Sequence, residues 1–532
     1  MTIVSVLPQN MSALRPLLPA LCRGVIGAAL LIICTQIVGV AEDLQAKRLQ
    51  FLQNQYEQRR AKFAQEMGQL ADYCESQSFF TDAEQIRKRA QPVESGAFDV
   101  DALPEELVPP LPLTLPDDQR EWRAKQQKLE HDYAIDIYKI ARDALKYGYP
   151  SVTYTLVREV AFHDPNNVSA RSMLGFVQDK NRWTTPFARR MAVKNFVDDP
   201  QFGWIESRNL VRYQNGERLF DGKWISKEKE EALRADFNNA WEIGSEHFVI
   251  RTNYSLEKGV ELSRKLEEFH DFFLKEYAAF FNSRQQMEKL LEVGTRANWN
   301  PESRYRVNYY RNKNEFVAAL KQRQPGIEIA NGLYLPHDRT AYFYNEDQTG
   351  DEAPASAKRA ETMYHEVTHQ LLGESRSTVV DVGERSDFWV IEGFACYMES
   401  FTPDRVGKQV GDPRHDRIHY ARLKVLEENA YQPMRQFTAL GRPAFPLKPE
   451  AYNQSAAMVH FFLNYEEGAY RDAFIQYLSQ VYNPADRLRL KSLTLEQLTG
   501  VQFETLDAQF LEYLRSLPSD PPAGVQVLQI EK

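Results

Sequence analysis

Apolar residues fall into several rhythms along the chain. In residues 42–92, Leu49, Leu52, Tyr56, Phe63, Met67 and Leu70 recur at spacings of three, four and seven, with Arg59 interrupting the seam. That period predicts an amphipathic or coiled-coil helical segment, taken here as 42–100. The seam suits packing on its own domain, and docking of a protein partner is the alternative use of these helices. Residues 103–117 (LPEELVPPLPLTLPD) hold five prolines, which predicts an extended linker over 101–118. From 119 to 199 the pattern is helical again. LVREVAFHDPNNVSARSMLGF reads as helix, Asp-Pro-Asn turn, helix, and resembles half of a tetratricopeptide-like hairpin, although no tandem repeat of it is evident.

A small connector module is expected over 200–245, where Trp204, Trp224 and Trp241 cluster and Asp221-Gly222 sits between apolar residues as a hairpin turn. Beyond it the pattern changes. HFVIRTN (247–253), RYRVNYY (304–310), GLYLP (332–336) and TAYFYN (340–345) read as strands, and 255–281 as an amphipathic helix. Asn312, with Glu315 three positions later, suits a helix start. After Asp351 the chain reads as helical to its end. A small mixed sheet followed by helices predicts an α+β domain over 246–515, preceded by helical segments and followed by a tail at 516–532.

The chemistry concentrates in one helix of that domain. SAKRAETMYHEVTHQLLG (356–373) is rich in helix formers and reaches Gly373, a candidate C-cap. His365 and His369 stand at i and i+4, so their imidazoles share one face and can hold one Zn²⁺. Glu366, beside the first histidine, is placed to act as general base. Zinc requires a third protein ligand. Glu392 supplies it from FWVIEGFACYMES (388–400), 23 positions after His369. A His₂Glu set with an open fourth position suits catalysis rather than a closed structural site. A glutamate in so apolar a helix also favours a neighbouring cation, because an unpaired buried charge is costly.

H-E-V-T-H followed by W-V-I-E-G-F-A-C-Y-M-E resembles the gluzincin metallopeptidases, whose pattern is H-E-x-x-H and then W-x-x-E-G-x-A-x-Y-x-E. The thermolysin and aminopeptidase N families share this logic, and 246–515 is most similar to the peptidase-MA-like domains of bacterial exported proteins. The sharp motifs cover 364–400. The resemblance implies a zincin-like fold, one Zn²⁺ per chain on His365, His369 and Glu392, Glu366 as base, and a peptide or protein substrate. It also implies a later oxyanion donor. AYNQSAAMVHFFLN (451–464) looks like the matching helix, making Tyr452 the candidate. His460 in the same helix, and Glu399 two turns beyond Glu392, are candidates for supporting roles around the ligands. No G-x-M-E-N segment is present, so an aminopeptidase assignment does not carry over. TAYFYN could pair with an extended substrate or lie inside the sheet. Two other readings use the same residues: a non-catalytic exported scaffold with a metallopeptidase fold, and a zinc hydrolase of non-peptide amides or esters.

Composition sets the compartment. The 532 residues carry a net charge of −9, which argues against a nucleic-acid binder. Arg15 and Arg23 precede an 18-residue apolar run, Gly24 to Ala41, and residues 1–41 contain no acidic residue. This is the pattern of a signal peptide, cleaved after Ala41, or of an uncleaved anchor through 24–41. The expected location is outside the cytoplasm: periplasmic, secreted or membrane-anchored. The four cysteines (Cys22, Cys34, Cys74 and Cys396) are too scattered for a disulfide framework.

Overall fold

Prolines 109, 110, 112 and 116 divide the helical N-terminal part of the chain as their missing N–H groups require. The computed structural model describes residues 21–93, 99–293, 304–345, 353–375, 382–403, 409–483 and 492–519, with backbone alone for 21–46, 293 and 353–359. The chain divides into two units, Met1–Gln50 and Phe51–Lys532. Helix α1 (Leu21–Ser76) runs through both ranges. Part of the expected leader, 1–20, lies outside the described residues, as does most of the tail, and Leu21–Ala41 is helical. Among the residues whose side chains are described, which exclude 21–46, no helix is long and apolar enough to cross a membrane.

Within the second unit the seam of α1 is buried by its own chain. Leu52, Phe63, Met67, Leu70 and Cys74 are all inaccessible, and Phe63 stacks on Tyr133 with ring centroids 4.2 Å apart. Helix α2 (Phe80–Arg89) follows. The principal helical hairpin is α3 (Asp117–Tyr147) with α4 (Pro150–His163), turned by left-handed Gly148. The Asp-Pro-Asn turn expected after α4 is present, and Asn167 caps the next helix. That helix, α5 (Val168–Met173), has only six residues, too few to complete a tetratricopeptide-like unit. The proline-rich segment contains no helix, but it is docked: Leu107 donates to Asn181 O at 2.9 Å and Trp183 donates to Glu105 O at 2.6 Å.

The helical segment expected over 119–199 ends early. Strand β1 (Val177–Asp179) pairs with β2 (Arg182–Thr184), ahead of helix α6 (Pro186–Val193). The arrangement recurs as β3 (Phe196–Asp199) with β4 (Gly203–Glu206) before α7 (Leu210–Gln214). It recurs again as β5 (Glu217–Phe220) with β6 (Lys223–Ser226) before α8 (Lys227–Arg234). Each second strand carries a tryptophan: Trp183, Trp204 or Trp224. The connector is thus an array of three hairpin–helix units starting at Val177. Strands of three or four residues are too short to show a period of two. The third turn was legible because Asp221 and Gly222 both take positive φ, 47° and 73°, as a two-residue hairpin turn demands.

The C-terminal domain is α+β, with a five-stranded mixed sheet ordered β10-β11-β9-β8-β7. Its strands are β7 (Trp241–Gly244), β8 (Phe248–Thr252), β9 (Tyr305–Tyr310), β10 (Gly332–Leu335) and β11 (Thr340–Tyr344). Strands β8, β9 and β11 are parallel, while β7 and β10 run antiparallel along the two edges. TAYFYN is therefore internal, and all five residues of β11 are buried; the edge on that side is GLYL. Helix α9 (Leu256–Glu276), capped by Ser255, lays Val260, Leu266, Phe269 and Phe273 into the core. Short helices α10 (Ala278–Phe281), α11 (Arg284–Val293) and α12 (Lys313–Leu320) complete this half. Asn312 caps α12 by accepting from Glu315 N.

The remaining helices are α13 (Ala353–Glu374), α14 (Phe388–Met398), α15 (Asp416–Leu426), α16 (Met434–Thr438), α17 (Pro449–Asn464) and α18 (Arg471–Val481), then Leu495–Thr499 and Phe503–Ser516. The N-terminal hairpin is tied to them through Glu276 at the end of α9. It accepts from Arg158 of α4 at 2.6 Å and from Arg471 of α18 at 2.7 Å. Asp472 accepts the first free N–H of α4, from Ser151, at 3.0 Å.

Charge also holds the N-terminal helices together. Arg89 of α2 donates twice to buried Glu130 of α3, at 2.8 and 2.5 Å. Burial opposes ionisation of Glu130, but hydrogen bonds to His163 and Arg89 bring its pKa down to about 2. A carboxylate depressed in the folded state stabilises the fold above its unfolded pKa, and that contribution is lost as pH falls through the folded value. The stability difference between wild type and Glu130→Gln should therefore be full at neutral pH. It should shrink by on the order of 3 kcal/mol between pH 5 and pH 2, measured by urea unfolding.

Candidate metal centre

Helix α13 carries the first two candidate ligands. It continues through Gly373 to Glu374, so Gly373 is an interior position rather than the expected C-cap. His365 and His369 stand one turn apart with ring planes at 78° and centroids 4.8 Å apart. Their Nε2 atoms lie 3.1 Å from each other.

Helix α14 brings the third. It starts at Asp387, whose φ of 65° is left-handed. That conformation is held by Tyr477 O–H donating to Asp387 Oδ1 at 2.5 Å and by Asp387 N–H donating to Thr438 O at 3.0 Å. Beyond it the helix is buried on nearly every side, against α13 on one face and α17 on the other. Gly393 explains the second contact. A Cβ at this position would meet the Ser455 backbone at 2.7 Å, so only glycine allows α17 so close. This packing sets Glu392 opposite the histidines, with Oε2 3.6 Å from His365 Nε2 and 3.8 Å from His369 Nε2.

These three atoms fit a metal ion. The point in their plane equidistant from them lies about 2.0 Å from each, against roughly 2.0–2.2 Å for zinc bonded to nitrogen or oxygen. The three side chains keep 14–16 % exposure, so the group is not sealed from solvent. His365, His369 and Glu392 form one of three groups among the described residues able to hold a metal.

Electrostatics favour a cation there. Burial opposes charge on His365, but hydrogen bonds to Cys396, Glu392 and Glu399 outweigh it and push its pKa well up. Burial pushes His369 down to about 4 against the pull of Glu392, so its imidazole is neutral near pH 7. Burial also opposes ionisation of Glu392, but the two histidines more than compensate and its pKa is lowered. Glu366 is raised, by burial first, with the His365 charge and the Tyr334 N–H acting against the shift. Tyr334 N–H belongs to edge strand β10 and donates to Glu366 Oε2 at 2.8 Å.

Glu399 orients the first ligand. His365 Nδ1–H donates to Glu399 Oε1 at 2.8 Å, so that in the neutral ring Nε2 is the lone-pair atom facing His369. Arg417 of α15 grips Glu399 with two bonds, Nε to Oε2 at 2.8 Å and Nη2 to Oε1 at 2.9 Å. Burial works against ionising Glu399, but these partners take its pKa down to about 2. Arg417 Nη1 also reaches Asn453 Oδ1 at 3.4 Å, the residue after Tyr452. Sequence reading did not find Arg417, because no fixed spacing links α15 to α14.

Tyr452 lies in the first turn of α17, half-buried, its ring 5.6 Å from Phe445. Burial and then Glu392 raise its pKa, so the phenol stays protonated. Among the described residues its hydroxyl has no hydrogen-bond partner. His460 is elsewhere: its Nε2–H donates to Gly411 O at 3.0 Å and its Nδ1 accepts from Tyr513 at 2.7 Å, a satisfied core histidine.

The two other groups differ in kind. His365, Cys396 and Glu399 share a ligand with the centre just described. His247, Glu267 and His270 form a separate cluster, but the imidazoles stack at 3.9 Å and 25°. Stacked rings point their lone pairs side by side instead of toward a common point. Glu267 accepts from His247 Nδ1 at 2.6 Å, and the cluster ties the β7–β8 turn to α9. No protein-family model and no curated protein sequence matches the chain.

Two outcomes follow from this geometry. Arg417→Met should weaken zinc binding about 10–100-fold in chelator competition while far-UV circular dichroism is unchanged, as expected for a residue that holds a ligand's partner. Gly393→Ala should destabilise the protein by about 1–3 kcal/mol in urea unfolding, since a methyl group there overpacks two helices.

Proposed function

We propose that the chain is an exported zinc-dependent metallopeptidase of the gluzincin type. The observation that carries this reading is the convergence of His365, His369 and Glu392 around one point, with Glu366 beside them and a sheet edge alongside. His365, His369 and Glu392 would hold the zinc, which would supply Lewis acidity to a water and to a substrate carbonyl.

The chain's own residues do the rest. Edge strand β10 offers its open side to an extended peptide, which adds as a further strand. Glu366 takes a proton from water, and the oxygen attacks the scissile carbonyl carbon. Tyr452 donates its O–H to the oxygen where negative charge develops. Collapse breaks the C–N bond, and Glu366 returns the proton to the departing amine. Burial suits Glu366 to this exchange, because a raised pKa brings a carboxylate nearer the working pH. Glu399 and Arg417 fix the His365 tautomer that presents Nε2. Export rests on the basic and apolar leader of 1–41, with 24–41 as the segment available for anchoring.

The test pairs wild type with Glu366→Gln. Zinc should approach one per chain in both, by elemental analysis. Cleavage of a peptide library should occur in wild type and fall about 10³-fold in kcat in the variant. Wild-type turnover by Glu366→Gln would remove the assigned base. Zinc in both without any cleavage would favour a non-peptide hydrolase or a scaffold.

A further inference from the structure

Arg442 is mounted next to the candidate centre by a backbone splice. Residues 438–442 run along 383–388 and are laced to them by three main-chain bonds. Asp387 N–H donates to Thr438 O at 3.0 Å, Phe388 N–H to Leu440 O at 3.2 Å, and Arg442 N–H to Gly383 O at 2.8 Å. The contact is tight: a Cβ on Gly441 would lie 2.3 Å from Glu384 O. The splice lies immediately before α14, so it sets Arg442 relative to Glu392.

The side chain then lies over the Phe388 ring, with its guanidinium carbon 4.7 Å from the centroid. Phe388 and Glu392 are at i and i+4 and share one face of α14. On the same aromatic cluster, Phe445 sits 5.1 Å from Phe388 and 5.6 Å from Tyr452. Arg442 therefore stands on the side of α14 that carries Glu392, against the aromatic cluster that reaches Tyr452 of α17. Its charge is felt by Glu392, His369, Tyr452 and Tyr482.

Stability does not account for an arginine there. Its protein partner is Glu384, Nε to Oε1 at 3.0 Å, with side-chain exposures of 56 % and 45 %. A pair so exposed contributes little to stability. Among the described residues Nη1 and Nη2 have no hydrogen-bond partner. That open pair of donors is the fork that receives a carboxylate with two parallel bonds.

We propose that Arg442 is a specificity-determining residue that receives a substrate carboxylate next to the scissile bond, so that the preferred substrates are acidic peptides. The carboxylate is supplied by an aspartate or glutamate side chain or by the peptide's C-terminus. The inference rests on the peptidase reading for its substrate class, but its test does not require turnover.

The experiment uses the full chain carrying Glu366→Gln, loaded with zinc, and a randomised acetyl-octapeptide library in free-acid and amide forms. Peptides retained at equilibrium are identified by mass spectrometry. Carboxylate-bearing peptides should be enriched about tenfold, consistent with one charge-assisted bidentate pair. Enrichment of the free-acid form alone assigns the C-terminus, and enrichment of Asp and Glu at one position in both forms assigns a side chain. Adding Arg442→Met should abolish the enrichment, and Arg442→Lys should restore part of it. Equal retention of acidic and neutral peptides, no retention of either, or enrichment that survives Arg442→Met would overturn the proposal. Arg442-dependent enrichment together with a wild-type protein that cleaves nothing would sink the peptidase reading and leave the carboxylate site standing.

Discussion

The structure around α13 and α14 is organised by the difficulty of keeping carboxylates charged inside an apolar core. Glu392 projects from α14, and Glu399 from its C-cap, where the other side chains are almost all hydrophobic and buried. An isolated carboxylate in that setting would be strongly disfavoured, so every neighbour that matters offers positive charge or an N–H. Glu399 has His365 on one side and Arg417 on the other. Glu392 has two imidazoles within 4 Å. Glu366 takes a backbone N–H from the edge of the sheet. The geometry that suits a divalent cation and the geometry that makes the buried glutamates tolerable are the same geometry.

The same rule operates at the junction with the N-terminal helices. Glu276 sits between Arg158 and Arg471, and Asp101 shares Arg158 with it. These charges fix where the helical hairpin docks, whereas apolar packing such as Phe63 on Tyr133 holds the N-terminal helices to one another. A charged cluster accepts one arrangement of donors and acceptors, and an apolar surface tolerates many. The hairpin therefore belongs to a defined position on α9, α10 and α18 rather than to a hinged appendage.

Glycine and aromatic residues translate this into precision. Gly393 lets α14 and α17 approach until their backbones touch. Trp389, Phe394, Phe462 and Phe474 fill the remaining space. Glu392 is consequently carried on a helix that cannot roll, and Tyr452 on one that cannot slide away from it. A ligand set needs that rigidity, because displacements of half an ångström already compromise a metal geometry.

Local pattern was sufficient for much of this protein. The i, i+4 histidines were legible because helical spacing puts them on one face, Glu366 because it adjoins the first of them, and Glu392 because it interrupts an apolar helix a short loop away. The sheet strands of the C-terminal domain, the cap at Asn312 and the hairpin turn at Asp221-Gly222 were legible because they depend on neighbouring residues. Strand order, and with it the identity of β10 as the edge, came from pairings between distant segments. So did the hairpin array at 177–226, whose strands are too short to announce themselves, and the roles of Arg417 and Arg442. The sequence by itself determined which residues could bind a cation. Only the tertiary structure decided which of them meet, because convergence of helices separated by a loop depends on buried contacts that no local spacing encodes.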